Sequence, residues 1–211
     1  MYTKKALIAT LSAIAAIIIL ISNYRLLIFN EGYYHEQFSK TGTYERVENA
    51  DEITHGIIEY INGKRDQLNP DVFNPREISH MKDVKKIVNN AHIFLYIMIL
   101  IESTLLGLLY VRSKKEFQRT VLLALQFSGI IIILFSAALF IISGLFPYMF
   151  EWFHRLLFDQ GTYVFSENDM LIKLFPEEFF FHFAFDTLKG SVMASLFILA
   201  ACLAKEKIFK E

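Results

Sequence analysis

Four long apolar blocks, with the charged residues collected between them, constrain this chain of 211 residues more than any other feature. The blocks run over residues 6–22, 92–111, 121–145 and 179–203. A helix needs about 20 mostly apolar residues to cross a hydrocarbon core about 30 Å thick, and each block is close to that length. The sequence therefore predicts an all-α membrane protein, a single integral domain over residues 1–211 with four transmembrane helices.

The composition excludes several other classes of protein. Hydrophobic residues make up 54% of the chain and charged residues 20%, whereas soluble domains have about 45–50% and about 25%. A single cysteine cannot form an intramolecular disulfide, so a disulfide-stapled fold is excluded. The formal net charge of −1 offers no basic surface, and we expect no nucleic-acid partner.

The basic residues that flank the blocks predict the orientation. The first block could be mistaken for a signal peptide, but no small-residue cleavage pattern follows it, so we interpret it as an uncleaved anchor. Short basic flanks face the cytoplasm in multi-pass proteins. These flanks contain Lys4, Lys5, Arg112, Lys114, Lys115, Arg119, Lys205, Lys207 and Lys210. We therefore predict cytoplasmic N and C termini and two extracytoplasmic loops, residues 23–91 and 146–178.

Capping signals predict helices inside both loops. Residues 49–52 have capping-box spacing ahead of an isoleucine stripe that Gly63 ends, and residues 74–77 (Asn-Pro-Arg-Glu) combine a cap, a first-turn proline and a capping glutamate. Residues 166–169 provide a third start. Bulky apolar side chains stand beside charges in residues 151–158, which is typical of a helix in the lipid headgroup layer.

All six histidines fall in the predicted outer loops or at the outer ends of spans. They are His35, His55, His80, His92, His154 and His182. Imidazole is the side chain whose ordinary pKa lies near neutrality, so this side of the membrane is where protons could be moved. We single out His80, which follows the strongest helix start, and His154, which lies on the interfacial segment, as candidate catalytic residues.

Other catalytic motifs are absent from the sequence. It has no Gly-x-Ser-x-Gly elbow, no glycine-rich phosphate loop and no His-Glu-x-x-His helix. Cys202 falls near the predicted cytoplasmic end of the last span, too far from an outer site to act as its nucleophile. We expect no cofactor and no metal, with a zinc site built from dispersed histidines as an open alternative.

Three charged residues fall inside the predicted spans. Glu102 and Lys189 each lie about ten residues into a span from the same side, so we predict that they pair, with Asp186 one turn nearer the outside. Such a pair is either a structural strut or a functional group. It leaves open a non-catalytic membrane subunit or a small-ligand carrier that uses these charges.

Three segments, residues 73–84, 151–158 and 175–177, resemble the lipoprotein intramolecular transacylase family of bacterial integral membrane proteins. The resemblance implies an enzyme of the bacterial cytoplasmic membrane with its active site on the extracytoplasmic side. It implies movement of the sn-2 acyl chain of a diacylglyceryl lipoprotein to the α-amino group of its N-terminal cysteine, giving a lyso-form lipoprotein. Lipoproteins and membrane lipids would be the partners. The two motif histidines of the family correspond to His80 and His154.

The candidate residues found in the sequence are suited to this reaction. An amine that attacks an ester needs a base for its proton and an acid for the departing alkoxide, and neutral histidines can do both. The substrate brings its own nucleophile, so no enzyme serine or cysteine is required. Arg76, Arg155 and Trp152 are candidate substrate-binding residues or donors to the oxyanion. A metal-dependent lipid hydrolase is a further alternative.

Overall fold

The computed structural model describes residues 2–158 and 161–208, and every regular element in this part of the chain is helical. One 3₁₀ turn, Ser143–Leu145, precedes the seventh α-helix. The predicted all-α class is therefore confirmed. In chain order the α-helices are α1 (Tyr2–Ile28), α2 (Glu31–Lys40), α3 (Thr43–Arg46), α4 (Ala50–Ile61), α5 (Pro75–Arg112), α6 (Lys114–Ile141), α7 (Phe146–Leu157), α8 (Met170–Leu174) and α9 (Glu177–Ile208).

Four of these helices, α1, α5, α6 and α9, are long and apolar enough to cross a membrane. They contain the apolar blocks found in the sequence, with one correction at the third. The third span was predicted to reach residue 145, but α6 ends at Ile141. A 3₁₀ turn follows, and Pro147 then opens α7, since proline fits the first turn of a helix and not its interior.

The helix α5 corrects a second boundary. The sequence was divided at His92 into a loop helix and a span, but α5 runs unbroken for 38 residues. No glycine or proline interrupts residues 76–106, so nothing in the sequence ends the helix before the span. At 1.5 Å per residue α5 is about 57 Å long, almost twice the hydrocarbon thickness. Only part of α5 is needed to cross the membrane, and the span over residues 92–111 stays the prediction for that part.

The described helices form two compact units. One comprises Met1–Tyr24, Ile93–Ile141 and Asp186–Glu211, and the other comprises Arg25–His92 and Ile142–Phe185. The first unit contains the most apolar stretches of the four long helices, and the second contains the predicted outer-loop residues. The single domain over the whole chain stays a prediction, as does the cytoplasmic position of its termini.

Small residues bring the helices of the first unit close together. A Cβ added at Gly129 would lie 3.1 Å from Leu199 Cγ, and one at Gly190 would lie 2.7 Å from Asn23 Oδ1. Ser195, which is completely buried, lies on α9 close to Gly129. Small residues at helix contacts are the usual means of packing helices within lipid, where burial of apolar side chains gives no driving force.

The second unit has an aromatic core. Phe38 of α2 is completely buried, and the ring of Tyr34 stacks on that of Phe179 with centroids 5.5 Å apart. The Thr43 hydroxyl donates to the backbone oxygen of Leu174 over 3.2 Å, which joins α3 to α8. The residues that precede α5 and the segment between α7 and α9 are thereby packed into the same unit.

The capping predictions are confirmed with one difference. Asn74 and Glu77 form the full capping box, in which Asn74 N donates to Glu77 Oε2 over 2.8 Å and Glu77 N donates to Asn74 Oδ1 over 3.0 Å. α4 ends before Gly63, whose φ of 76° is the left-handed conformation that favours glycine. α8 follows residues 166–169 as predicted. At α4, however, the Asn49 side chain makes no capping bond.

Candidate active site

His80 lies on α5 in an aromatic shell, and only 8% of its surface is exposed. The ring of Phe158 lies 4.5 Å away, centroid to centroid, and the ring of Phe165 meets it edge-on at 5.2 Å. His80 Nδ1 is buried and has no hydrogen-bond partner among the described residues. The imidazole is therefore held by packing against aromatic rings, not by a bond at Nδ1.

This burial fixes the charge of His80. Removal from water disfavours the imidazolium ion and lowers the pKa of His80 to about 4, and the nearby imidazole of His154 adds to the lowering. At neutral pH the ring is therefore uncharged. An uncharged imidazole has one nitrogen that accepts a hydrogen bond and one that donates.

His154 lies on α7, where a backbone bond fixes its tautomer. Its Nδ1 is 2.7 Å from the backbone oxygen of Phe150, one turn earlier. A carbonyl oxygen only accepts, so the hydrogen is on Nδ1 and the lone pair of the neutral ring is on Nε2. The rings of Phe150, at 4.3 Å, and Tyr163, at 5.5 Å, pack against the imidazole and orient it further.

The structure brings the two predicted histidines together in one unit. Their ring centroids are 6.3 Å apart and their planes differ by 18°. Phe158 packs against both, since its ring is 4.5 Å from that of His80 and 5.4 Å from that of His154. At this separation one ester group could contact both imidazoles, which is what proton transfer and oxyanion stabilisation at one carbon require.

The other predicted site residues lie around this pair in different environments. Arg76 donates through Nη1 to the backbone oxygen of Val164 over 3.1 Å, next to Phe165 of the aromatic shell. Arg155 pairs with Glu151 one turn earlier on the exposed side of α7. Trp152 is 64% exposed, so its ring is available to lipid or substrate.

The predicted intramembrane pair is not formed, and this expectation was wrong. Glu102 and Lys189 make no ion pair in the part of the chain that the structure describes, and Glu102 Oε2 is buried without a hydrogen-bond partner there. Lys189 is exposed on the helix surface and Asp186 is half-buried. Equal depth from the two span ends permitted a pair, but depth does not determine which faces of α5 and α9 meet.

The remaining histidines lie outside the aromatic shell. His35 contacts Tyr44 and Asp51. His55 Nδ1 lies 2.9 Å from Glu31 Oε1, and His182 Nδ1 lies 2.9 Å from Gln37 Oε1. The ring of His92 packs on Phe29. Within residues 2–158 and 161–208, no three His, Cys, Asp or Glu side chains are grouped so that they could hold a metal ion.

Several residues around the site cannot be identified from the sequence alone. Phe158, Phe165 and Tyr163 form the shell, but the sequence shows only that the segment is rich in aromatic residues. Glu77 was recognised as a capping residue, yet its Oε1 also accepts from Leu171 N over 2.7 Å. One feature of the sequence indicates that Glu77 has a further contact: its side chain is charged, yet it lies on the apolar stripe of the helix beside His80.

The fold and the site together define a class: a helical, multi-pass membrane protein with two imidazoles paired in an aromatic shell. A family model described as "Lipoprotein intramolecular transacylase Lit" matches residues 7–180, and the chain belongs to that family. The resemblance stated from the sequence is thereby confirmed. The members of this family are named as acyltransferases, enzymes that move an acyl group within one lipoprotein molecule.

Solved structures share the fold over nearly all of the chain. The membrane-integral lipoprotein intramolecular transacylase Lit from Bacillus cereus superposes with a TM-score of 0.81 at 20% identity, covering 98% of this chain and 99% of that one. A form of the same protein with one histidine replaced by alanine has a TM-score of 0.78 at 21% identity, covering 99% of this chain and 96% of that one. At these identities the comparison shows the fold alone.

A sequence relative from Aquifex aeolicus (strain VF5) is 28% identical over 141 residues and is described as an uncharacterized protein. The match covers 64% of this chain and 55% of that protein, so it spans little more than half of the relative's length.

We predict that His80 titrates far below an ordinary histidine. Exchange of the imidazole C2 hydrogen, followed by mass spectrometry, should give a midpoint near pH 4, since burial lowers its pKa from 6.5 to about 4. The unfolded chain then binds a proton that the folded chain does not, so this residue's contribution to stability decreases as the pH falls from 6.5 toward 4. A midpoint near 6.5 would contradict the burial described above.

Proposed function

We propose that this chain moves the sn-2 acyl chain of a diacylglyceryl lipoprotein to the α-amino group of the lipoprotein's N-terminal cysteine. Membership of the transacylase family supports the reaction class. The observation that carries the proposal is the pair of imidazoles 6.3 Å apart within one aromatic shell. No serine or cysteine of the enzyme is needed, because the substrate supplies both the nitrogen and the ester.

We assign the proton transfer to His154. Its Nε2 carries the lone pair, since its Nδ1 hydrogen is held by Phe150 O. The amine nitrogen attacks the ester carbonyl carbon, and Nε2 takes a proton from that nitrogen. The tetrahedral intermediate then expels the glyceryl oxygen as the C–O bond breaks, and the His154 imidazolium returns the proton to that oxygen. The net change is an O-to-N shift of the acyl group with no water and no other reactant.

We assign a different role to His80. Its pKa of about 4 keeps the ring neutral, so it does not donate a full proton to the leaving group. A neutral imidazole with its lone pair on the buried Nδ1 has its hydrogen on Nε2, where it can donate a hydrogen bond to the developing oxyanion. A neutral imidazole that donates a hydrogen bond in this way stabilises the negative charge of the oxyanion, and its own charge does not change.

In this scheme, the positioning of the amine and the ester next to each other accounts for the rest of the rate enhancement. The amine and the ester belong to one molecule, and effective molarities for well-oriented intramolecular reactions reach about 10⁵ M or more. Arg76, Arg155 and Trp152 stay proposed substrate contacts, with the exposed Trp152 facing acyl chains and Arg155 facing polar headgroups. The carrier or subunit alternative, which depended on a Glu102–Lys189 pair, is not favoured.

The basic flanks of the predicted spans support a bacterial cytoplasmic-membrane location with the site on the extracytoplasmic side. The helix α7 agrees with a position at the bilayer surface, since one side of it presents exposed apolar side chains and the other presents Glu151 and Arg155. We therefore propose that His154 lies near the depth of the ester groups of lipids.

Separate substitutions should distinguish the two histidines. Glutamine at position 154 cannot shuttle a proton, so we expect His154→Gln to abolish N-acylation of a reporter lipoprotein. His80→Gln keeps an N–H donor, so we expect it to retain measurable product and to be more active than His80→Ala. His55→Gln, an exposed histidine away from the shell, is the matched control and should keep wild-type activity. Product masses of the lipoprotein measure all four.

The converse result would overturn the assignment. If His154→Gln retains product and His80→Gln does not, the base is His80. If both variants make wild-type amounts of N-acylated product, neither histidine is catalytic.

The depth of α7 is measurable through Trp152, the only tryptophan in the chain. In proteoliposomes, we expect spin labels attached near the glycerol end of the acyl chains to quench its fluorescence more strongly than labels near the methyl end. We also expect weak quenching by iodide. Trp152→Phe provides the background signal. Strong iodide quenching with no quenching by lipid labels would show that α7 lies in water and would remove its proposed location.

A further inference from the structure

Glu77 links two helix starts through one buried carboxylate. Only 1% of the residue is exposed. Its Oε2 accepts from Asn74 N over 2.8 Å at the start of α5, and its Oε1 accepts from Leu171 N over 2.7 Å in the first turn of α8. One side chain thus satisfies backbone donors on two separate segments, and the bonds are charge-assisted.

Two further hydrogen bonds join the same two segments. Asn74 Nδ2 donates to Asp169 Oδ1 over 2.9 Å, and Arg76 Nη1 donates to Val164 O over 3.1 Å. Asp169 Oδ2 also accepts from Ser166 N over 2.7 Å, which closes the turn ahead of α8. Residues 161–175, which we name the covering segment, are therefore tied to the start of α5 at three points along their length.

The covering segment carries part of the shell around the catalytic pair. Phe165 meets His80 edge-on at 5.2 Å, and Tyr163 lies 5.5 Å from the His154 ring. Glu77 and His80 are three residues apart on α5, so they share one face of that helix. The bond from Glu77 to α8 is made on the face where these rings cover the imidazole.

We infer that Glu77 is a positioning residue for the transacylase reaction: its carboxylate holds the covering segment against α5, so that Phe165 and Tyr163 keep their places over the two imidazoles. This inference rests on the proposed function of His80 and His154. Glu77 does not touch the reacting atoms and acts through the covering segment.

The requirement is for a carboxylate and not only for a side chain of this size. Both Glu77 oxygens accept from backbone N–H groups. A glutamine has one oxygen and one NH₂, so it can accept from only one of these donors and places its own hydrogens against the other. Glu77→Gln therefore breaks one of the two bonds with almost no change in volume, and leaves a buried donor unsatisfied.

The experiment compares Glu77→Gln with Glu52→Gln in the full-length protein. Glu52 occupies the capping-box position of α4, is exposed, and its cap residue Asn49 makes no side-chain capping bond, so it is a matched control. For Glu77→Gln we expect kcat to fall about 10- to 100-fold with little change in KM, as displaced catalytic groups usually do. Glu52→Gln should leave kcat at the wild-type value.

A second readout separates positioning from general loss of stability. As the shell opens, water reaches His80, so the C2-hydrogen exchange midpoint of His80 should rise from about 4 toward 6.5. Among the described residues, the titratable group whose ring packs on that of His80 is His154, so its C2-hydrogen exchange is followed in the same mass spectra. Backbone amide exchange should speed up in the covering segment and stay unchanged in α2 and α4.

The outcomes are distinct. If Glu77→Gln keeps the wild-type kcat and His80 midpoint, the inference is wrong. If amide exchange in Glu77→Gln rises throughout the protein, the experiment is repeated with Asp169→Asn. This change weakens a second tie of the same segment, so it should shift the same three readouts: kcat, the His80 exchange midpoint and amide exchange in the covering segment. No shift with Asp169→Asn would likewise overturn the inference. If the wild-type protein itself transfers no acyl chain, the proposed function fails, while the exchange readouts still test the role of Glu77.

Discussion

Because the rings of Phe158 and Phe165 replace water around His80, its pKa is lowered to about 4 and its imidazole is uncharged at neutral pH. The rest of the site follows from this exclusion of water. An uncharged ring beside His154 avoids the repulsion that two imidazolium ions would have at 6.3 Å. In the reaction proposed above, it leaves His154 to accept and return the proton.

Two helices and one connecting segment form the surroundings that exclude water from His80. α5 carries His80 beyond its capped start, and α7 carries His154 one turn after the carbonyl that sets its tautomer. The covering segment between α7 and α9 supplies the remaining rings. Its backbone has little regular structure besides the short α8, so side-chain bonds from the start of α5 hold it in place. In the proposed account, the residues that order this segment act on the chemistry through the rings that they hold.

The sequence predicted the class, the four long apolar helices and the two histidines that the structure brings together, because each has a local signal: apolar length, capping spacing, or a motif of the resembled family. It did not predict the unbroken α5, since an outer-loop helix and a span with compatible periodicity can be one helix. It wrongly paired Glu102 with Lys189, because depth along two helices does not give their rotation. The second bond of Glu77 joins residues 94 positions apart, and no local pattern encodes it.

The central claim is that two imidazoles catalyse transfer within one substrate molecule, with no acyl-enzyme intermediate. The most direct measurement is a crossover experiment with purified protein and two lipopeptides that differ in peptide mass, one of them carrying deuterated acyl chains. Mass spectrometry of the N-acylated products should show each peptide with its own acyl label only. Products in which the labels are exchanged between the peptides would show that the acyl group leaves its parent molecule, and would contradict the account.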